Sequence, residues 1–512
     1  MNNPAAHIPD NTPVIVGVGQ HVERLTADAR PPFTPAVGLA AIAAQAALAD
    51  AGVAATDIDT VCMIRLFADS APAWRSALGR SDNPPESVAR RIGASPTRRI
   101  YSSSGGTEPL ERLAEMFGAI ARGESRTVLL LGAEAIASER FAARNQLADD
   151  WNESWDAPMD DRYQPGRFAL REEVRSGLKM PAHFYALIEN AQAHALGHSQ
   201  AAHRSYMAEI MAPLAAVAAH NPYAYKAARY SAEDLASTAS DNYLISLPLR
   251  KRLVAQDAVN QAAALLLTSA GNARALGVDA KQWLYLEGYA EGEDRYLLER
   301  EDPGRSEAMH QVFAAALDMA GTRAVDLQLL DLYSCFPCAV HAAKQSLGLP
   351  LHGDTPLTVT GGLPYFGGPG NNYSMHALAE MAMRLRGGPS RGLVTANGGL
   401  LSKHAAAVLS ADAHRGEAID WTVAPHSVDR ESIPALPVSE AVSVGTIVTY
   451  TVVAGRNAPD VGVVMADTSE GRCLACSTDP AVTAELAADG IIGRPVEFVL
   501  QDEQRRFHFA GA

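Results

Sequence analysis

The sequence has no uninterrupted apolar run of the eighteen or more residues that a membrane-spanning helix needs. It also lacks basic residues relative to acidic ones: 43 Lys and Arg against 58 Asp and Glu leave a net charge of −15. A nucleic-acid partner calls for a basic face, so this balance argues against one and favours solubility. The first residues, 1–13, are polar and carry Asn and Pro, without the basic start and apolar centre of a secretory signal. A cytoplasmic location is therefore the expectation. Cysteine is scarce, with five in 512 residues. An odd number in so long a chain speaks against a disulfide framework. Cys335/Cys338 and Cys473/Cys476 do have the C-x-x-C spacing of a four-cysteine zinc site. Neither pair carries the glycines of a zinc knuckle. One lies in an apolar strand-to-helix passage and the other in a β-rich tail. Both read as small buried hydrophobes, and no metal is expected.

What is present belongs to a soluble globular protein: 47% hydrophobic and 20% charged residues. At this length two to four domains are expected. The pattern opens with an apolar strand, 14–19, and an alanine-rich helix, 35–51, stopped by Gly52. A strand at 58–64 and a short helix at 88–92 follow. An amphipathic helix, 110–122, then leads into 127–131, a continuous apolar strand of the buried parallel type. Strands alternating with helices predict an α/β sheet covered on both faces. From 136 to 247 the pattern turns polar and aromatic-dotted, then helical at 181–196 and 200–219. The sheet resumes at 260–268, and strand-loop-helix modules recur: a helix at 309–320, a strand at 327–332, a helix at 339–347 and a strand at 392–395. The tail is rich in β-branched residues, with strands at 442–453 and 493–500 around a short helix, 481–488; it predicts a small β-barrel or sandwich.

Three motifs carry a resemblance. The first is Arg99-Ile100-Tyr101-Ser102-Ser103-Ser104-Gly105-Gly106-Thr107, followed by a helix and a strand that ends in Gly132-Ala133-Glu134-Ala135. The others are Asp331-Leu332-Tyr333-Ser334-Cys335-Phe336-Pro337 and Ala396-Asn397-Gly398-Gly399-Leu400-Leu401-Ser402-Lys403-His404. In this order they resemble the active-site loops of the thiolase superfamily, of the acetyl-CoA acetyltransferase kind. With the β-rich tail, the whole chain is similar to type-1 thiolase-like proteins. The resemblance implies a duplicated α/β thiolase fold, layered αβαβα, with a helical loop-domain insertion and a C-terminal β-barrel-like domain. It places the N-terminal half at 1–300 with the insertion at about 136–247, the C-terminal half at 301–416 and the additional domain at 417–512.

The same resemblance locates the chemistry, and there the chain departs from the family. The nucleophilic cysteine falls on Ser102, or on Ser103 if the alignment slips by one. The activating histidine of a Gly-His-Pro motif falls on Gly368. The second cysteine falls on Ala396, and of the Asn-Glu-Ala-Phe motif only Phe336 remains. A serine accepts an acyl group only beside a base. The competing reading is that Ser102 to Ser104 cap the following helix. Tyr333, and with it Tyr365, can move a proton in an aldol-type cleavage, as tyrosines do in thiolase-fold steroid side-chain aldolases, or else serve as packing aromatics. Cys335 is a reactive thiol only if a cation lowers its pKa. His404 is a candidate base or a structural hydrogen-bonder. Gly362, Gly368, Gly398 and Gly399 let backbone approach a ligand or turn tightly. No cofactor is implied beyond a coenzyme A thioester as substrate or ligand, and Arg250-Lys251-Arg252 reads as solvated surface or as a place for a CoA phosphate. Three functions stay open: a thiolase-like protein acting on acyl-CoA outside the ordinary cycle, an aldol-type C–C lyase using Tyr333, and a non-catalytic acyl-CoA or lipid binder. Thiolases dimerise through the core, a surface that the added domain could cover, so monomer and homodimer both stay open.

Overall fold

The computed structural model describes residues 8–164, 166–226, 228–353, 355–388, 391–412, 419–439, 443–501 and 504–511. Its first sheet runs in the order Pro13–Val22, Asn260–Ser269, Thr127–Ala135, Thr60–Met63, Arg98–Tyr101, Asp160–Asp161. Its second runs Leu329–Asp331, Arg391–Gly398, Lys403–Ser410, Tyr285–Glu293, His426–Val428. The two are built alike. In each, the opening strand pairs antiparallel with the closing strand, which pairs antiparallel with the strand before it, which pairs in parallel with the second strand. This is the duplication that the repeated modules predict.

Glycine sets how closely each half packs. A Cβ on Gly17 would fall 2.3 Å from the Ala47 carbonyl oxygen, and one on Gly288 2.1 Å from that of Ala316. The first contact presses the opening strand onto helix Ala36–Ala51, the second presses its counterpart onto helix Glu307–Met319. Any side chain would push helix and sheet apart. Helices Glu108–Ala121 and Tyr373–Arg386 each touch strands of both sheets and form the middle layer. They are almost wholly buried on their inner faces. The layering is thus αβαβα, as expected.

The halves change over between Ser269 and Tyr285, ahead of residue 300, because Tyr285–Glu293 already belongs to the second sheet. The expected start of the last domain at 417, and the first residue of the expected strand 442–453, lie outside the described residues. His426–Val428 still pairs with the second sheet, so the chain returns to it before leaving for the barrel. There Val444–Val453, Val461–Thr468, Gly471–Ser477, Gln504–Phe509 and Pro495–Gln501 close on one another, with Val444–Val453 pairing both Val461–Thr468 and Pro495–Gln501. The strand after the expected last one, Gln504–Phe509, is what completes the circuit. Closure leaves no free barrel edge. Ile447, Tyr450, Val464, Phe498 and Phe507 fill the centre.

The insertion joins core to barrel. Its helices Pro181–Ala195 and Gln200–Ala218 lie over the second half, and its hairpin Leu244–Ser246/Leu249–Arg250 adds to the barrel through Ser246 and Val453. Asn190 on the first of these helices donates to the Leu247 oxygen at 2.9 Å and to the Tyr450 oxygen at 2.8 Å. Thr449 reaches back to the Leu187 oxygen at 2.6 Å. Among the described residues no helix is long and apolar enough to cross a membrane. Replacing Asn190 by Leu keeps the volume, removes both bonds and strands the Tyr450 oxygen, while the Leu247 oxygen keeps Thr451 Oγ1. We expect it to cost about 1–3 kcal/mol in a urea unfolding curve; an unchanged midpoint would show that this seam carries no stability.

Candidate functional site

The three motif loops meet at the ends of Arg98–Tyr101, Leu329–Asp331 and Arg391–Gly398, under the insertion. Ser102 is fully buried. Its Oγ accepts from the Arg65 backbone N–H at 3.0 Å and donates to the Ser103 oxygen at 2.7 Å. Arg65 Nε holds the Ser102 carbonyl at 2.7 Å, while its guanidinium lies over the Tyr101 and Tyr163 rings and pairs with Asp161. The serine run does not cap the helix after it. Helix Glu108–Ala121 begins after Thr107 with no side-chain cap, and Pro109 removes one of the donors that would need one. Ser104 Oγ is buried without a hydrogen-bond partner. The reason is that the loop is tied sideways. Gly105 N–H goes to Asn371 Oδ1 at 3.1 Å, and Ser374 Oγ donates to the Gly106 oxygen at 2.9 Å.

The carried-over glycines divide by role. Gly362 has φ +78°, and its Cβ would meet Ser334 Oγ at 2.6 Å. Gly399 has φ +62° and turns the Arg391–Gly398/Lys403–Ser410 hairpin, with Ser402 Oγ 2.4 Å from where a Cβ would sit. These two are required by the turn. Gly398 lies against the Gly106 amide. Gly368 differs: the nearest atoms to an added Cβ are Gln256 O and Leu363 Cδ2, both at 3.5 Å, which is ordinary contact. Space for a small side chain exists at Gly368. Ala396 is buried.

Tyr333 fills the space between the halves. A Cβ on Gly106 would be 2.6 Å from the Tyr333 hydroxyl oxygen and 2.3 Å from the Asn397 carbonyl. The Tyr333 ring stands edge-on to Tyr373 at 5.3 Å, and its backbone N–H donates to Thr395 Oγ1. Its hydroxyl makes no hydrogen bond to a described residue. Burial pushes the phenol up, so it keeps its proton. Cys335 is likewise pushed up to about 12 by burial and is an unionised thiol. Tyr185, from the insertion, stacks on Phe336 at 4.2 Å; its hydroxyl accepts from Asn397 Nδ2 at 2.9 Å and the Leu401 amide at 3.0 Å. Tyr365 is buried with its hydroxyl unpartnered. Sequence reasoning missed Arg65, Tyr185, Asn371 and Asn397. Only Asn397, inside the quoted glycine motif, carried a signal; a lone arginine 37 residues before Ser102 carried none.

His404 sits on Lys403–Ser410, opposite Asn397 across the hairpin. Its Nε2–H donates to Ser306 Oγ at 2.9 Å; Ser306, the N-cap of Glu307–Met319, in turn donates to buried Asp294. Burial lowers its pKa to about 4 and Nδ1 has no partner. It is a neutral bridge, with no candidate nucleophile on it. His376, the other histidine near the loops, donates through Nδ1 to Gln20 at 2.7 Å, and burial lowers it to about 3. Cys335/Cys338 lie in this interior and Cys473/Cys476 in the barrel, all buried as free thiols.

Neither a protein-family model nor a curated protein sequence matches the chain. Solved structures do. A monomeric SCP2-thiolase-like protein of type 1 from Mycobacterium smegmatis is 34% identical over 98% of this chain and 100% of its own, with a TM-score of 0.81. The chain belongs to the thiolase superfamily. Within it, this chain shares its fold with the Ltp2-ChsH2(DUF35) aldolase, at 19% identity over 79% and 99% of the two chains and a TM-score of 0.55. It shares it equally with human mitochondrial 3-ketoacyl-CoA thiolase solved in complex with CoA, at 16% identity over 78% and 98% and a TM-score of 0.55.

The pH dependence of that interior has a defined sign. His404 has a folded pKa below its ordinary 6.5, so it opposes proton uptake, and its contribution is lost as pH falls from 6.5 towards about 4. Glu108, Glu139 and Glu173, raised to about 7 by burial, act oppositely in the same range. The histidine part is isolated by His404→Gln, whose amide keeps the bond to Ser306. We expect the destabilisation by this variant to shrink with falling pH, by on the order of 1 kcal/mol per unit below 6.5. Denaturant curves across that range check it; a difference independent of pH would mean the imidazole is not held neutral.

Proposed function

We propose that this protein binds a coenzyme A thioester and does not run the thiolase cycle. The observation that carries this is the Ser102 hydroxyl, already engaged by Arg65 N–H and the Ser103 carbonyl, with glycine and alanine where a base and a second thiol would be. The titratable group beside Ser102 is Glu108, a buried carboxyl raised to about 7 and paired with Arg112, and no imidazole among the described residues bonds the hydroxyl. Superfamily membership, the CoA bound to the human 3-ketoacyl-CoA thiolase and the room for a small side chain at Gly368 support a CoA ester as ligand. Calorimetric titration with CoA and acetyl-CoA should show binding, with no condensation or thiolysis and no hydroxylamine-labile acetyl adduct on Ser102 or Cys335. Ser102→Cys should restore no turnover. Gly368→Phe should weaken binding by on the order of a kcal/mol by filling space. A labile adduct in the wild type, or no heat with either ligand, would sink this reading.

A second reading, an aldol-type carbon–carbon lyase, is favoured by Tyr333. Its hydroxyl is protonated and unbonded, and lies against Gly106 at the approach to helix Glu108–Ala121. A phenol so placed can donate a proton to an enolate leaving a retro-aldol cleavage. The fold is shared with a protein named as an aldolase. Incubation with a β-hydroxyacyl-CoA should then release a carbonyl product, and Tyr333→Phe should lose that activity while keeping CoA affinity. Equal cleavage by the two proteins would remove Tyr333 from the chemistry.

A further inference from the structure

The basic run singled out in the sequence lies beside the candidate site. Residues 251–253 form one short helical turn, and the chain then passes directly under the motif loops. Ala255 N–H donates to the Cys335 oxygen at 3.0 Å, Gln256 N–H to the Leu363 oxygen at 3.2 Å, and Gly368 N–H to the Gln256 oxygen at 2.8 Å. Lys251 Nζ donates to the side-chain oxygen of that same Gln256 at 2.6 Å. Its amine is therefore one glutamine side chain away from the loop where Gly368 leaves room.

We propose that Lys251 is an acyl acceptor, its amine taking the acyl group from a CoA thioester held at the Gly368 loop. This rests on the CoA-ester reading above. The nitrogen lone pair attacks the thioester carbonyl carbon, an N–C bond forms and the C–S bond breaks. Sulfur leaves as thiolate and takes up the proton that nitrogen releases. The products are an amide on Lys251 and free CoA, and no oxidant or other reactant is needed.

Two features of the surroundings suit this role. Lys251 is half-buried and has no carboxylate partner among the described residues. Burial lowers its pKa, and the positive charges of Lys226, Arg140 and Arg456 lower it further. Asp257 pulls the other way but is engaged by Arg140. Lys226 and Arg456 likewise lack carboxylate partners among the described residues, in a protein of net charge −15. Such cations draw the phosphates of a CoA ester to the place where the amine is least protonated. The chain has few competitors: its other lysines are Lys179, Lys226, Lys281, Lys344 and Lys403. Lys403 is paired with Glu293 and Lys344 is buried against the Leu351 oxygen. Lys179 and Lys281 are exposed and serve as internal standards.

The full chain would be incubated with acetyl-CoA at mildly alkaline pH and acetylation followed residue by residue by peptide mass spectrometry. We expect a hydroxylamine-stable acetyl group on Lys251 to appear several-fold faster than on Lys179 or Lys281. Added CoA should slow it, and Lys226→Ala with Arg456→Ala should slow it several-fold. Lys251→Arg should abolish it without changing the circular dichroism spectrum. Acetylation of Lys251 no faster than of the two standards, in a protein that calorimetry shows to bind CoA, overturns this inference alone. No binding together with no selective acetylation overturns the CoA-ester reading with it.

Discussion

The contact on which the rest of this structure depends is the crossing of the two halves at Gly106. Its amide faces Gly398, its oxygen takes the Ser374 hydroxyl, and the Tyr333 hydroxyl and Asn397 carbonyl close over its α-carbon. Asn371 binds the neighbouring Gly105 amide from the second half. No residue with a side chain fits at Gly106 unless Tyr333 and the hairpin at Asn397 both retreat. The first sheet's loop, the second sheet's hairpin and the start of helix Tyr373–Arg386 are thereby locked in one arrangement. A site between two halves is only as defined as the contact that sets their separation. Here that contact joins backbone on backbone, Gly106 against Asn397 and Gly398, to the side chains of Tyr333, Asn371 and Ser374.

Much of the superfamily's machinery has been turned into such fastening. A thiolate needs a cation or an imidazole nearby to exist at neutral pH. The thiol that remains near the loops, Cys335, is pushed the other way by burial, to about 12. The two histidines nearest the loops are spent on Ser306 and Gln20. Burial keeps both neutral, which suits bridging, and neither has a nucleophile to activate. Several neutral polar groups near the loops stay uncommitted, among them Ser104 Oγ, Tyr365 Oη and Asn397 Oδ1. Neutral donors and acceptors in an enclosed interior can position a carbonyl or move one proton.

The fold was legible in the sequence because its determinants are local. Period, alanine content and the glycine stops gave the helix Ala36–Ala51 and the buried strand Thr127–Ala135 within a residue or a few. The halves were legible because the strand-loop-helix order repeats. Tyr285–Glu293 was missed: its sequence mixes glycine and glutamate with the apolar residues, and its burial comes from the helix pressed onto Gly288. Lys403–Ser410 was missed because the glycine motif before it reads as a loop. In the site, the sequence pointed to the loops but not to the partners that bind them. Arg65, Tyr185 and Asn371 reach Ser102, Phe336 and Gly105 across 37, 151 and 266 positions, where no local pattern operates. Helix capping failed as an account of Ser102 for the same reason: a partner distant in sequence took its hydroxyl first.

The barrel completes the argument about enclosure. It does not meet the motif loops itself. It binds the insertion, through Asn190, Thr449 and the Ser246–Val453 pairing, and the insertion carries Tyr185 onto Phe336 and Asn397. Arg472 adds a second seam by reaching the carbonyls of Arg300 and Glu301 from Gly471–Ser477. The barrel's consequence for the site is mechanical. A cover held only by two helices could lift; one pinned at both ends to a rigid barrel has less freedom to do so. The additional domain and the altered interior therefore belong together: once charge-stabilising groups are gone, exclusion of water and a fixed position for Tyr185 are what the cover can still contribute.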